Sequence, residues 1–266
     1  LMIHSSPSLT AVVRMLAGSE PAPASVRDGD EWIINGEKKF ITNGNVADYC
    51  VMAAVTEKGV GYKGISTFVV NLKETKGFSL GVLEEKMGIR ASGTAELVFE
   101  DARVPADALL GKEGEGFKQM LTTLDGGRIG IASQAIGIGR AALEEALAYA
   151  KEREQFGKPI SKFQAIQWKL ADMATELDAA ELLTLRAAYL EDNHLSYEKE
   201  AAMAKCFASD AAMRASVEGV QILGGYGYIC EYPMERHMRD AKICQIYEGT
   251  NEIMRVVISS NILKGK

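Results

Sequence analysis

The stretch CQIYEGTNEIMR, residues 244 to 255, places one carboxylic acid, Glu248, between a bulky Tyr247 and a flexible Gly249. The residues that follow predict a helix, and an acid in a first helical turn contributes about 0.3 to 1 kcal/mol of stability. The alternative role is a general base that faces a pocket, where burial would raise its pKa toward neutrality. The residues around Glu248 do not decide between the two.

A second stretch with chemical potential is LDGGRIG, residues 124 to 130. It puts Asp125, Arg128 and two adjacent glycines inside a helical pattern. Each glycine costs a helix roughly 1 kcal/mol relative to alanine. That cost predicts either a structural kink or a close contact, such as a contact with a ligand, at this place.

Two further stretches pair glycine or positive charge with a predicted helix end. Residues 224 to 227, GGYG, predict a glycine C-cap and turn, or a backbone that approaches an anion closely. Residues 151 to 164, KEREQFGKPISKFQ, place Arg153 near a helix C-terminus, where the helix dipole favours cations. Both stretches can be explained by structure alone.

Composition argues against several classes of function. The 266 residues carry a net charge of -6, which disfavours non-specific binding to nucleic acid or to anionic membranes. The four cysteines and three histidines lack the spacing of a zinc site or a disulfide framework, so we expect no metal and a reducing compartment. Apolar runs stay well short of the roughly 18 residues of a membrane span.

The first half of the sequence predicts a β-domain. From Val26 to about Gly111, turn sequences alternate with strand-forming runs: EWII, KFIT, YCVMAAV, ISTFVV and AELVFE. Asn35 and Gly36 predict a type I′ hairpin because both residues tolerate positive φ. We therefore expect an antiparallel sheet or barrel here.

After Pro105 the pattern changes to helical spacing. Predicted helices lie near 114 to 153, 162 to 191, 197 to 223 and 240 to 263. Ser161 and Gln164 fit a capping box at the start of the second helix. Four long amphipathic helices with short connections predict an antiparallel four-helix bundle, so the fold class is α+β. The predicted domains are an unmatched N-terminal segment, 1 to 25, a middle β-domain, 26 to 112, and a C-terminal helical bundle, 113 to 266.

Five long segments carry a family resemblance. They are NGEKKFITNG, EEKMGIRASGTAELVFEDARVPADALLG, GEGFKQMLTTLDGGRIGIASQAIG, KEREQFGKPISKFQAIQ and VQILGGYGYICEYPMERHMRDAKICQIYEGTNEI. In this order they resemble the acyl-CoA dehydrogenase family, most closely its short-chain, butyryl-CoA type. The similarity runs from about Val26 to the C-terminus. The helical domain with which the family normally begins has no counterpart here, and residues 1 to 25 resemble no part of it that we can align.

The resemblance implies an activity and a cofactor. The family binds FAD between the middle β-domain and the helical bundle, shared with a neighbouring subunit, and oxidises an acyl-CoA to the trans-2-enoyl-CoA. In this reading Glu248 removes the α-proton while the β-hydride passes to flavin N5, and its backbone N–H helps to stabilise the thioester oxygen. Some relatives carry the base at the position of Gly127, which has no side chain here.

The resemblance also implies other site residues. Expected contacts to FAD are Phe40, Ile41, Thr42, Arg153, Phe156, Gln164, Gln221, Ile222, Leu223, Gly224, Gly225, Thr250 and Glu252. Expected contacts to the acyl-CoA are Asp125, Arg128 and Gly249.

The implied partners are an acyl-CoA, an electron-transfer flavoprotein and further copies of the chain in a homotetramer, a dimer of dimers. The implied compartment is the bacterial cytoplasm, with the mitochondrial matrix as the alternative. A non-catalytic relative that acts as a binding or assembly subunit is the competing hypothesis, and an acyl-CoA oxidase is a third.

Overall fold

The computed structural model describes residues 23–265, which form two compact units. The first unit contains the described part of Leu1–Lys86 and Arg90–Thr123, and the second contains Met87–Ile89 and the described part of Leu124–Lys266. Across these described residues, no helix combines the length and the apolar character that crossing a membrane requires.

The first unit is built on a six-stranded sheet of order β4-β3-β1-β2-β6-β5. Its strands are β1 Ala24–Asp28, β2 Glu31–Thr42, β3 Tyr49–Val55, β4 Ile65–Asn71, β5 Phe78–Leu83 and β6 Thr94–Pro105. The pairs are antiparallel except for one parallel contact between β1 and β3. Trp32 and Phe68 meet edge to face in its buried core. The predicted antiparallel sheet is confirmed.

The predicted hairpin at Asn35 and Gly36 is wrong. Strand β2 continues through both residues, and the tight turn between β1 and β2 lies at Gly29 instead. Asn35 donates its amide to Asp101 Oδ1 at 3.0 Å and accepts from the Asp101 backbone N–H at 2.7 Å. Gly36 has φ of +137°, and a Cβ there would lie 2.8 Å from the Pro23 Cα. The glycine therefore serves a bulge and a close approach within the sheet.

The second unit is helical. Its helices are α1 Gly116–Glu152, α2 Gln164–Asp192, α3 Glu198–Leu223, α4 Gly225–Tyr228, α5 Met234–Cys244 and α6 Asn251–Leu263. The first turns of α1 belong to the first unit, because the boundary between units falls inside this helix. Two minimal strands, β7 Glu154–Gln155 and β8 Lys158–Pro159, form a hairpin between α1 and α2.

The fourth long helix, predicted over 240 to 263, is wrong in its extent. The chain leaves α5 after Cys244 and starts α6 at Asn251. In between, Glu248 has φ of +54° and Gly249 has φ of +94°. Two consecutive residues in the left-handed region cannot continue a right-handed helix. The interruption gives Glu248 a turn of its own.

The observed ends of α2 and α3 test the two predicted helix caps. The capping box at Ser161 and Gln164 is wrong, because a 3-10 turn at Ile160–Lys162 precedes α2 and Phe163 occupies the N-cap without a side-chain bond. The predicted glycine C-cap is confirmed, since α3 ends at Leu223 and Gly224 caps it with φ of +60°.

Small residues let the helices pack closely. Buried alanines of α1, α2 and α3 dominate the helical core, among them Ala135, Ala180 and Ala208. At Gly139, a Cβ would lie 2.5 Å from the Leu177 Cδ2 atom and 3.2 Å from the Ala212 Cα atom. Because interiors are close-packed, these short approaches set the spacing of the bundle.

Candidate active site

The carboxylate of Glu248 lies against helix α1 at Gly127. A Cβ added to Gly127 would meet Glu248 Oε2 at 2.9 Å and Cδ at 3.4 Å. Gly127 therefore lies at a close contact, and the partner is the acid of the opening motif rather than a ligand. Because Gly127 has no side chain, the carboxylate occupies space that a larger residue in α1 would fill.

Tyr247, the residue before Glu248, connects the same turn to α1. Its hydroxyl donates to Gln134 Oε1 at 2.6 Å and lies 4.0 Å from Cys244 Sγ. Burial raises the pKa of Tyr247, so its hydroxyl stays protonated and acts as a donor. The tyrosine thus anchors the turn that carries Glu248.

Helix α3 holds both ends of this turn. Asp210 Oδ1 accepts from Gln245 Nε2 and from Asn251 Nδ2, each at 2.7 Å. The backbone N–H of Asn251 donates to the Gln245 carbonyl at 3.0 Å and closes the loop. Lys205 donates to the carbonyl of Gly249 at 2.7 Å.

Sequence reasoning missed these supporting residues on α3. The usable signal was charge inside an apolar pattern, because Lys205 and Asp210 interrupt the alanine-rich run AAMAKCFASDAA, residues 201 to 212. A charged side chain among alanines that face the core needs a partner.

Asp125 and Arg128 form an ion pair one turn apart on α1. Arg128 Nη1 lies 2.5 Å from Asp125 Oδ1, and Arg128 is only 5% exposed. Burial raises the pKa of Asp125 to about 6, with Arg128 opposing that effect and Glu198 adding to it. The Arg128 Nε atom is buried and has no hydrogen-bond partner among the described residues. The pair therefore keeps a buried donor that a polar ligand could satisfy.

A cavity of about 590 Å³ lies at the far end of α3. Five of the predicted FAD residues line it: Arg153, Ile222, Leu223, Gly224 and Gly225. A Cβ on either glycine would meet no atom within 4 Å, so the glycines leave open space along the wall. A cation, accessible backbone and the aromatic ring of Tyr226 suit a group that carries both phosphate and an aromatic base.

The other predicted site residues of the helical unit lie outside this cavity wall. Gln221 is exposed on α3, Phe156 is 93% exposed with φ of +53°, and Gln164 is the exposed first residue of α2. Thr250 caps α6 by accepting from the Ile253 N–H at 3.4 Å, and Glu252 lies exposed in its first turn.

The remaining three predicted residues lie on β2 in the first unit. A register shift between Lys38 and Ile41 coincides with Phe40 at φ of +57°. This bulge exposes Phe40 and Thr42 and leaves the Ile41 side chain in the core. Phe40 and Thr42 can thus meet a ligand with their side chains, whereas Ile41 offers only its backbone.

Comparison with known proteins identifies the family. Residues 114–263 match the acyl-CoA dehydrogenase C-terminal domain, and residues 16–102 match the acyl-CoA dehydrogenase middle domain. The chain therefore belongs to the acyl-CoA dehydrogenase family. Members of this family are FAD-dependent oxidoreductases.

Two similar proteins are named as short-chain specific members of the family. A short-chain specific acyl-CoA dehydrogenase of Clostridium acetobutylicum is 52% identical over 240 residues, covering 90% of this chain and 63% of the relative. The mitochondrial short-chain specific enzyme of Bos taurus is 55% identical over 237 residues, covering 89% of this chain and 57% of the relative. The chain thus spans about three fifths of the length of these curated relatives.

Solved structures share the fold. Butyryl-CoA dehydrogenase from Megasphaera elsdenii superposes with a TM-score of 0.91 at 49% identity, covering 95% of this chain and 67% of that one. A chain solved in work on the electron transferring flavoprotein of Acidaminococcus fermentans reaches a TM-score of 0.92 at 54% identity, covering 96% and 67%.

Proposed function

We propose that the chain carries out FAD-dependent α,β-dehydrogenation of a short-chain acyl-CoA, with Glu248 as the base. One observation carries the proposal: the Glu248 carboxylate is held against Gly127 in a turn separated from both neighbouring helices. A helix-capping acid needs no such turn, whereas a base must be aimed at one atom of a substrate.

Each residue of the site has a role in this reaction. Glu248 removes the proton α to the thioester carbonyl, and its own backbone N–H stabilises the negative charge that develops on the thioester oxygen. Arg128 and Asp125 bind the pantetheine arm of the CoA, where the unpaired Arg128 Nε supplies a donor. Gly249 allows the turn that presents the carboxylate.

FAD, when bound, supplies the acceptor for the hydride that leaves the β-carbon. The open wall formed by Arg153, Gly224 and Gly225 suits the diphosphate and adenosine side of the cofactor. By the family resemblance, the exposed side chains of Phe40 and Thr42 would contact its ring system, and Thr250 and Glu252 would also help to hold the cofactor. Similarity to the Megasphaera and Clostridium proteins supports short acyl chains as substrates.

The proposed electron acceptor is an electron-transfer flavoprotein, and the proposed assembly is a homotetramer. The first is supported by the similarity to the Acidaminococcus chain. The second is supported by large apolar side chains exposed on α2, at Trp168, Leu182, Leu185 and Tyr189. The proposed compartment is the bacterial cytoplasm, with the mitochondrial matrix as the alternative that the bovine relative supports.

The substitution Glu248→Gln tests the base directly. In the FAD-loaded protein under anaerobic conditions, we expect it to keep FAD and butyryl-CoA binding and to slow bleaching of the flavin absorbance by at least about 10²-fold, the usual contribution of a general base. Glu176→Gln is the matched control, because that acid pairs with Arg214 on the helical surface. Normal bleaching by Glu248→Gln would remove Glu248 from the mechanism, and a protein that never binds FAD would favour the non-catalytic subunit.

A further inference from the structure

Lys205 lies in the protein interior, where lysines are rare. It belongs to α3, its surface is 0% exposed, and its neighbours on the helix include the buried Ala201, Ala204 and Ala208. Burying an ammonium group is unfavourable unless hydrogen bonds replace its lost water. Burial lowers the pKa of Lys205 to about 8, because loss of solvent disfavours the charged form.

The acceptors of Lys205 both belong to the residues that follow Glu248. Its Nζ donates to the Gly249 carbonyl at 2.7 Å and to Asn251 Oδ1 at 3.0 Å. These are neutral oxygens, one on the main chain and one on the first residue of α6. The hydrogen bonds of this buried ammonium therefore join α3 to the turn that carries the proposed base.

The backbone of that turn has a disfavoured conformation. Glu248 and Gly249 have φ of +54° and +94°, and the left-handed region is disfavoured for a residue with a side chain. Such a conformation persists when the surrounding structure over-determines it. Asp210 holds the ends of the turn through Gln245 and Asn251. Lys205 holds the carbonyl of the residue directly after Glu248.

We propose that Lys205 is a positioning residue for the base. By donating to the Gly249 carbonyl, it holds the left-handed backbone of Glu248 and Gly249, and so keeps the Glu248 carboxylate against Gly127. This inference rests on the proposed role of Glu248. Lys205 acts through the backbone of the turn and does not touch the substrate.

The test compares Lys205→Met, which removes the donor at similar length, with Lys205→Gln, which keeps an N–H donor. Lys169→Met is the matched control, because Lys169 pairs with Glu218 between α2 and α3. The first measurement is hydrogen–deuterium exchange of the amides of residues 245 to 251 in the whole chain, which requires neither cofactor nor activity. We expect at least tenfold faster exchange in Lys205→Met, an intermediate effect in Lys205→Gln, and no change in the control.

The second measurement is bleaching of the FAD-loaded protein by butyryl-CoA. We expect the limiting rate of Lys205→Met to fall at least tenfold while the butyryl-CoA concentration for half-maximal rate changes less than threefold. If Lys205 only stabilised the fold, its replacement by Met would accelerate exchange throughout α3 and α6, and that result would overturn the proposal. Wild-type exchange and a wild-type rate in Lys205→Met would also overturn it.

If neither variant folds, amide exchange in the wild-type protein is the test. The Asn251 amide must exchange as slowly as the buried amides of α3, and rapid exchange there overturns the proposal.

The two proposals fail in distinguishable ways. If Glu248→Gln bleaches normally, Glu248 is not the base, whatever the exchange data show for Lys205. If Glu248→Gln is inactive but Lys205→Met behaves like the wild type in both measurements, only the role of Lys205 is lost.

Discussion

At the scale of single residues, the proposed site depends on the contact between Gly127 and Glu248. The carboxylate of Glu248 lies over Gly127, the position at which the family resemblance places the base of some relatives. The proposed base and this glycine are thus neighbours in space although they are 121 residues apart in the sequence. Glycine at one position makes room for the acid from the other.

This arrangement predicts the effect of Gly127→Ala. The added methyl group would lie 2.9 Å from Glu248 Oε2, so the carboxylate must shift by a few tenths of an ångström. We expect a roughly tenfold slower flavin bleaching, since small misplacements of a catalytic group are costly. The free energy of unfolding should rise by up to about 1 kcal/mol from helix propensity.

Gly130→Ala is the control for this prediction, because a Cβ there meets no atom within 4 Å. It should give the same gain in stability with an unchanged bleaching rate. Equal rates in both variants would mean that the contact between Gly127 and Glu248 has no part in the reaction. Urea unfolding and stopped-flow absorbance measure the two quantities.

At the scale of elements, the break between α5 and α6 makes the site possible. A continuous helix over 240 to 263 would place Glu248 on a helical surface with its backbone N–H used inside the helix. The left-handed pair at Glu248 and Gly249 ends that helix, and Thr250 starts the next one as its N-cap. Support for the turn then comes from α1 and α3, so its geometry depends on how closely these helices pack.

A pair of glycines on α1 tests the importance of that packing. Gly139→Ala places a Cβ 3.2 Å from the Ala212 Cα on α3, where main chain cannot easily yield. We expect it to lower the free energy of unfolding by about 1 to 3 kcal/mol, as overpacking of a core does. Gly137→Ala, two residues earlier and exposed, should raise it by up to about 1 kcal/mol. If thermal or urea unfolding gives both variants the same sign, the close approach at Gly139 is not a constraint.

At the scale of the whole molecule, ligand binding should increase the free energy of unfolding. The helical unit offers a cavity of about 590 Å³ lined by Arg153 and two glycines whose Cβ positions are open. A ligand that binds the folded state stabilises it in proportion to the logarithm of its excess over Kd.

The corresponding prediction is a thermal shift with FAD. At a hundredfold excess over Kd, we expect about 2.7 kcal/mol of added stability and a rise in Tm of about 5 to 10 °C, measured by scanning calorimetry. Arg153→Ala should lose most of this shift, and Arg214→Ala, whose guanidinium pairs with Glu176, should keep it. A Tm that ignores FAD would contradict the assignment of the cavity.

Much of this protein follows from its sequence. Alternating strand formers predict the sheet, and residues spaced three or four apart predict the long helices α1, α2 and α3, because these patterns are local consequences of backbone period. Five ordered segments are enough to identify the family, and by resemblance they propose Glu248 as the base. Local patterns failed at Asn35. Asparagine favours turns, but here its side chain makes two hydrogen bonds to Asp101 across the sheet.

Only the tertiary structure decided what surrounds the proposed base. The contact of Glu248 with Gly127, the bond of Tyr247 to Gln134 and the bond of Lys205 to Gly249 join residues 44 to 121 positions apart. Such pairings depend on which helix faces pack together, and a period of 3.6 residues identifies an apolar face without naming its partner. Sequence alone therefore determined the family and proposed the acid, and packing determined how that acid is held.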